Sequence, residues 1–305
     1  LFKAIALNSQ RTESNAALLA VSYKKPQNNE AEEIVNNTIY ETTVAQVDRN
    51  ATLHLVVIGI NKYQNQSLSL NYALADANAF KNEIEKDAKT VLANIKTYFV
   101  SDEQADKKGI TDALNHVKKN AQAQDVFVFY YAGHGVIAPK TKEFYLVPTD
   151  VTDLKNEGQL LMDKGISASL LQSFASDIQA QKQVFILDAC QSAGVFEQLI
   201  SADANQQRNI ALLARSTGTH WIAASGSQQF ANEFASLGHG AFTYVLLQAL
   251  KGEAANNKMI TVNGLKNFLQ LQVPVLMKKY SGSTQYPASY GFGNDFPIII
   301  IKKTN

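Results

Sequence analysis

Two side chains in this sequence have both the chemistry and the setting for nucleophilic catalysis. His134 lies in "FVFYYAGHGV", residues 127–136, held between Gly133 and Gly135 just after an apolar run. Cys190, the sole cysteine, lies in "FILDACQSAG", again just after an apolar run. A thiol attacks a carbonyl once a base takes its proton, and the oxyanion that develops needs N–H donors. His134 is the candidate base and Cys190 the candidate nucleophile. The backbone N–H groups of Gly135 and Cys190 are the candidate oxyanion hole. Glycines beside the histidine would let the backbone approach a substrate carbonyl without a Cβ in the way. A lone cysteine is ordinarily a small buried hydrophobe. Here both residues follow buried runs, at the strand ends where α/β sheets bind ligands, and that favours chemistry.

The elements that must position them read as alternating strands and helices. "LHLVVIGIN", "IKTYFVSD", "DVFVFYYA", "KQVFILDA" and "THWIAAS" have the apolar character of strands covered on both faces. "LNYALADANAFKNEIEKD", "KGITDALNHVKKNAQ", "ISASLLQSFASDI", "GAFTYVLLQALKG" and "TVNGLKNFLQLQVPVLMKKY" have helical period. "KEFYLVPTD" reads as part of a hairpin and "FPIIII" as a last strand. The alternation predicts a doubly wound, mostly parallel α/β sheet with helices on both faces. Asn61, His134 and Cys190 then fall along one carboxyl edge. Residues 1–48 read as a helical N-terminal extension broken at Pro26, and the start at Leu1 reads as the remnant of a larger chain. "SADANQQRN", residues 201–209, reads as a linker.

Composition narrows the function classes. The 305 residues are 46% hydrophobic, enough for a large core. With 28 basic and 27 acidic residues the net charge is +1, which gives no footprint for nucleic acid or an anionic membrane surface. No apolar stretch reaches the roughly 18–20 residues of a membrane span. A single cysteine makes neither an internal disulfide nor a Cys-rich zinc site, and it fits a reducing, cytoplasmic setting. No Walker-type glycine run is present; the first strand-to-helix turn is "GINKYQNQS".

"YYAGHGV" followed by "DACQSAG" resembles the caspase-like cysteine peptidases, and more the bacterial metacaspase-like branch than animal caspases. The 56 residues from His134 to Cys190 are close to the ~50 of that clan. The resemblance covers residues 49–305. It implies a caspase fold with a large-subunit-like part to about residue 200, the linker 201–209 and a small-subunit-like part 210–305. It also implies a cysteine endopeptidase with a His134–Cys190 dyad and a thioester intermediate. Protein or peptide substrates would be its partners, and an upstream sensor or repeat region would precede it in a longer chain. Asp188, two residues before Cys190, stands where metacaspase-like enzymes place an acid for a basic side chain, which implies cleavage after Arg or Lys. Asp76 in "NYALADA" matches a second pocket aspartate. Two carboxylates around one guanidinium give charge-assisted, bidentate bonds. "ASGSQQFANEF" resembles the third pocket loop, where Ser225 and Glu233 are candidate contacts and Ser227 and Gln228 replace the usual aspartate. Arg208 and Arg215 are candidate self-cleavage sites.

Metacaspase-like enzymes often use calcium. Asp150 and Glu197 match two of its acids, but Ser167 and Ala168 replace the adjoining pair, so no cofactor and no calcium requirement is expected. "LGHGAFTY" repeats Gly-His-Gly around His239, but it follows no strand and reads as a helix-start turn. His54, His116 and His220 read as structural or surface residues. Two further readings compete: a catalytically silent caspase-fold interaction module, and a peptidase with Asp specificity.

Overall fold

The computed structural model describes residues 2–4, 17–19, 48, 50–89, 91–138, 143–154, 159–189, 219–224, 233–234, 236–282, 285–291 and 294–300. It separates into two compact units, Leu1–Thr42 and Thr43–Asn305. In the first, β1 (Phe2–Ala4) pairs antiparallel with β2 (Ala17–Leu19). The helical reading of residues 1–48 is therefore corrected at these six positions: the pairing partner lies 13 or more residues away, which local periodicity does not report. The rest of that extension lies outside the described residues.

In the second unit the strands are β3 (Thr52–Gly59), β4 (Asn94–Ser101), β5 (Val126–Ala132), β6 (Gly135–Ile137), β7 (Phe144–Leu146), β8 (Ile166–Ser167) and β9 (Lys182–Asp188). They continue with β10 (Thr219–Ala223), β11 (Glu233–Phe234), β12 (His239–Gly240), β13 (Met259–Thr261), β14 (Ala288–Gly291) and β15 (Pro297–Ile300). The helices are α1 (Ala73–Ala88), α2 (Lys107–Asn120), α3 (Gln159–Lys164), α4 (Ala168–Asp177), α5 (Ala241–Gln248) and α6 (Val262–Tyr280). The central sheet runs β14-β10-β9-β5-β3-β4. Its five β3, β4, β5, β9 and β10 strands are parallel, and β14 closes one edge antiparallel to β10.

The covered strands explain the sequence pattern. Every residue of β5 is buried. Phe127, Phe129 and Tyr131 point into a core with Ile110, Leu114 and Val117 of α2 and Leu171 and Phe174 of α4. Tyr130 alternates to the opposite face and stacks on Phe80 of α1 at 4.3 Å. On that face α1 packs against β3, β5 and α5, and α5 against α6. Both faces are filled, so the strands are continuous rather than alternating in hydrophobicity. α6 runs through Pro274, where a backbone donor is lost; the buried row Val262, Leu265, Leu269, Val273 and Met277 offsets that cost.

Two differences from the sequence reading, and one agreement, bear on the site. The "FPIIII" strand is present as β15 but pairs with β13, outside the central sheet. β14 has no apolar run and escapes pattern reading; Gly291 in it lies so close to His220 that an added Cβ would come within 2.7 Å of Nδ1. The "KEFYLVPTD" hairpin exists, and its other arm, β6, begins at Gly135, the residue after His134.

Candidate active site

The parallel register brings three strand ends level. Gly59 of β3 pairs with Ala132 of β5, and Ala132 with Asp188 of β9. Gly133 N–H extends the ladder by donating to the Asp188 carbonyl at 3.2 Å. His134 therefore leaves the sheet at this edge, between the loop after β3 and the chain after β9. Cys190 is the second residue beyond Asp188 and lies outside the described residues, as do Glu197, Arg208, Arg215 and Ser225.

Ring Nε2 and both backbone polar groups of His134 have partners. Its ring Nε2 meets the Leu68 carbonyl at 2.7 Å. A carbonyl only accepts, so Nε2 carries the proton and neutral His134 has its lone pair on Nδ1. The backbone N–H donates to the Tyr63 hydroxyl at 2.9 Å, and the Tyr63 ring lies 5.0 Å from the imidazole. The backbone carbonyl accepts from Val147 N–H at 3.0 Å and from the Tyr131 hydroxyl at 2.8 Å. Tyr63 and Leu68 belong to the segment between β3 and α1, which is clipped in turn. The Asn61 amide donates to the Asn71 carbonyl, and its Oδ1 accepts from Leu74 N–H. The Asp102 carboxylate at the end of β4 accepts the N–H groups of Asn61 and Lys62 at 2.8 and 3.0 Å.

Gly133 has a different reason from the one the sequence suggested. A Cβ there would lie 2.7 Å from the Tyr131 hydroxyl and 3.0 Å from that of Tyr63. The glycine admits the two hydroxyls that hold His134. For Gly135 the ladder itself is informative. Val147 N–H bonds to the His134 carbonyl and Ala138 N–H to the Glu143 carbonyl. Antiparallel pairing alternates, so the intervening Gly135, opposite Leu146, directs its N–H away from β7.

The candidate pocket acids are both buried, Asp76 at 3% and Asp188 at 8% exposure. Asp188 alternates to the α1 face of β9, where Thr243 of α5 donates to its Oδ2 at 2.6 Å. Tyr130 lies 2.6 Å from the same Thr243 oxygen. Thr243 has one proton and gives it to the carboxylate, so Tyr130 is the donor in the other bond. Burial, and behind it the charges of Asp188 and Asp76, pushes the Tyr130 phenol well above its ordinary range, so it stays protonated. Both carboxylates thus border one phenol. Asp76 Oδ1 is 2.5 Å from His239 Nδ1, and its Oδ2 accepts from Gly240 N–H at 3.0 Å. His239 does sit where α5 starts, with Gly240 as the N-cap, but its ring is also part of this cluster. β12 pairs with β11, which joins the backbone of Glu233 to Gly240.

Asp150, the calcium candidate, pairs with Lys164 at 3.1 Å. Among the described residues no group of three or more His, Cys, Asp or Glu side chains is arranged to hold a metal. His54 is buried against Asp125 at 3.1 Å, at the opposite end of β3, and His116 stacks on Tyr98. Sequence reasoning missed Leu68, Tyr63, Tyr131, Thr243 and the His239 contact. Leu68 contributes a backbone carbonyl, which no side-chain pattern reports.

A histidine at a strand edge, neighbouring buried carboxylates and a six-stranded, mostly parallel sheet flanked by helices make a caspase-like α/β fold. The chain belongs to the caspase domain family, peptidase C14, whose model matches residues 52–291. It is therefore a member of a cysteine peptidase family. Among solved structures it is similar to protein GSU0716 from Geobacter sulfurreducens. The identity is 15% and the TM-score 0.55, over 83% of this chain and 100% of that one, a likeness of fold. No curated protein matches the chain. Among the described residues no helix is long and apolar enough to cross a membrane.

Proposed function

We propose that this chain is a cysteine endopeptidase of the metacaspase-like branch, hydrolysing peptide bonds after Arg or Lys through a His134–Cys190 dyad. His134 Nδ1 takes the Cys190 thiol proton and the thiolate attacks the scissile carbonyl carbon. The N–H groups of Gly135 and Cys190 receive the oxyanion. Collapse breaks the peptide C–N bond, and His134 gives its proton to the leaving amine. Water, deprotonated by His134, then hydrolyses the thioester and restores the thiol. Asp188 and Asp76 bind the basic side chain, with Ser225 and Glu233 as further contacts. Arg208 and Arg215 offer sites for self-cleavage, and no metal takes part in these steps.

The observation that carries this reading is the oriented His134 ring, whose Nε2 donates to the Leu68 carbonyl so that the lone pair of the neutral ring lies on Nδ1. In the sequence Cys190 follows Asp188, the last residue of β9, by two positions. Asp188, buried on the neighbouring strand, is the supporting observation for basic specificity.

The test uses fluorogenic peptides ending in Arg, Lys or Asp, with and without calcium, beside a Cys190→Ala control. Arg or Lys cleavage that disappears in the control is the expected result. Cleavage only after Asp would keep the dyad and overturn the pocket. No cleavage, together with no labelling of Cys190 by a thiol-directed peptide probe, would favour the silent interaction module.

A further inference from the structure

A buried amide oxygen without a hydrogen-bond partner lies where β10 ends. Gln285 is fully buried, and its Oε1 meets no donor. Its Nε2 donates to the Ala224 carbonyl at 2.9 Å. A carbonyl only accepts, so the amide cannot be turned over, and Oε1 stays the atom without a partner. A buried acceptor in this state carries a desolvation cost that an arriving donor removes.

The position of the amide is set by the sheet. Ala224 is the residue after β10, and its own N–H donates to the Leu187 carbonyl at 2.9 Å. The β9–β10 ladder thus runs on past the Ala223–Leu187 pair, and Ala224 comes level with Asp188. Gln285 comes from the chain between α6 and β14. Its amide is therefore fixed at the carboxyl edge, beside the strand that leads to Cys190. Tyr286 next to it is 55% exposed, so this segment runs at the surface although the amide is sealed. Two other orphan atoms on strands, His54 Nδ1 and Gln183 Oε1, belong to the amino ends of β3 and β9.

We infer that Gln285 is a specificity-determining residue: its Oε1 accepts a guanidinium N–H of the substrate arginine and so favours Arg over Lys. The inference rests on the Arg/Lys reading above. A guanidinium carries five N–H groups, and a bidentate contact with one carboxylate uses two. In a pocket shut off from water the others need acceptors, and a neutral amide oxygen supplies one without adding charge. A lysine ammonium is a compact charge with three donors on one atom and asks less of such an acceptor. The preference comes from an oxygen outside both carboxylates, so it is independent of whatever else Asp188 and Asp76 bond. Oε1 is sealed in the free chain, so the substrate side chain displaces a neighbour to meet it. A desolvated acceptor is where one N–H counts most.

The experiment measures kcat/KM of the full chain on matched fluorogenic peptides ending in Arg and in Lys. The parent should favour Arg. Gln285→Met keeps the length of the side chain without an amide oxygen, so the Arg-to-Lys ratio should fall about tenfold, the worth of one hydrogen bond to a charged group. Gln285→Glu keeps an oxygen acceptor and should hold the ratio at or above the parental value. Both variants give up the amide N–H to Ala224, so both should melt below the parent. Selectivity then follows the oxygen while stability follows the N–H. If Gln285→Met keeps the parental ratio, or if both variants lower it alike, Gln285 only anchors Ala224; the inference is overturned and the Arg/Lys reading stands. A parent that favours Lys also overturns the inference and keeps the basic pocket. If Gln285→Met does not fold, Gln285→Leu serves as the second side chain without an acceptor, with the same outcomes. If the parent cleaves after neither Arg nor Lys, the basic pocket itself is refuted and the inference falls with it.

Discussion

Gly133→Ala is the substitution whose consequences the geometry fixes most closely. The new methyl would lie 2.7 Å from the Tyr131 hydroxyl, 2.9 Å from its ring carbon and 3.0 Å from the Tyr63 hydroxyl. None of these can simply swing away. Tyr131 is fully buried and Tyr63 nearly so. The two hydroxyls hold the carbonyl and N–H of His134, and a net loss of ~1 kcal/mol is expected for each bond. Overpacking of a dense core adds about 1–3 kcal/mol. Together they predict a loss of about 3–5 kcal/mol, read by urea denaturation. The same displacement moves His134, and a misplacement near 1 Å costs about a hundredfold in rate. Labelling of Cys190 by a thiol-directed peptide probe should slow by that order. Tyr131→Phe removes the nearest clashing atom, so the double variant should be less destabilised than the two single losses combined, by ~1 kcal/mol. Additivity within about 0.5 kcal/mol, or a Gly133→Ala protein of parental stability, would refute the account of the glycine.

Further outcomes follow from other parts of the site. Asp188→Asn should cut kcat/KM for an Arg peptide by about 10- to 100-fold while leaving probe labelling of Cys190 nearly intact, as charged buried hydrogen bonds are worth about 1.5–3 kcal/mol. Asp102 holds Asn61 and Lys62 from a left-handed backbone, φ 42°. Asp102→Ala loses both bonds and keeps the strain, at a cost of about 2–4 kcal/mol, whereas Asp102→Gly should melt higher than Asp102→Ala because glycine accepts that backbone. Lys266 donates to His220 Nδ1 at 2.7 Å, and burial lowers its pKa from the ordinary 10.5 to about 8. Between these values the unfolded chain binds the proton and the folded one does not, so stability should rise from pH 8 towards 10.5, and Lys266→Met should flatten that rise. Burial, then Lys266, also lowers the pKa of His220, so stability should fall as the pH drops below 6.5, where the unfolded histidine takes the proton. Urea midpoints across pH 5–10.5 check both.

What was legible in the sequence was whatever a run of side chains encodes. β5 and β9 announce themselves because both faces are covered, and the residue after each run is placed by chain count alone. The partners of His134 were not legible for a different reason. Leu68 acts through its carbonyl, Tyr63 sits in a loop that looks merely polar, and Tyr131 reads as one more aromatic in a buried strand. Asp76 matched a pocket position, but its engagement by His239 depends on residues 163 positions apart. β14 was missed because "ASYG" pairs through its backbone at an edge and carries no apolar alternation.

The supports of the candidate base are arranged on one side. Reading across the sheet, the chain that leads to the candidate nucleophile leaves β9, the candidate base leaves β5, its tether leaves β3 and the clip on that tether leaves β4. The contacts described for the His134 ring Nε2 and backbone N–H, to Leu68 and Tyr63, thus come from the half of the sheet away from β9. Events at the far edge, around β4 and Asp102, reach His134 through the tether and through Thr149, which lies two residues from Val147 and whose N–H donates to the Ala105 carbonyl, and this makes that edge a lever on the candidate base.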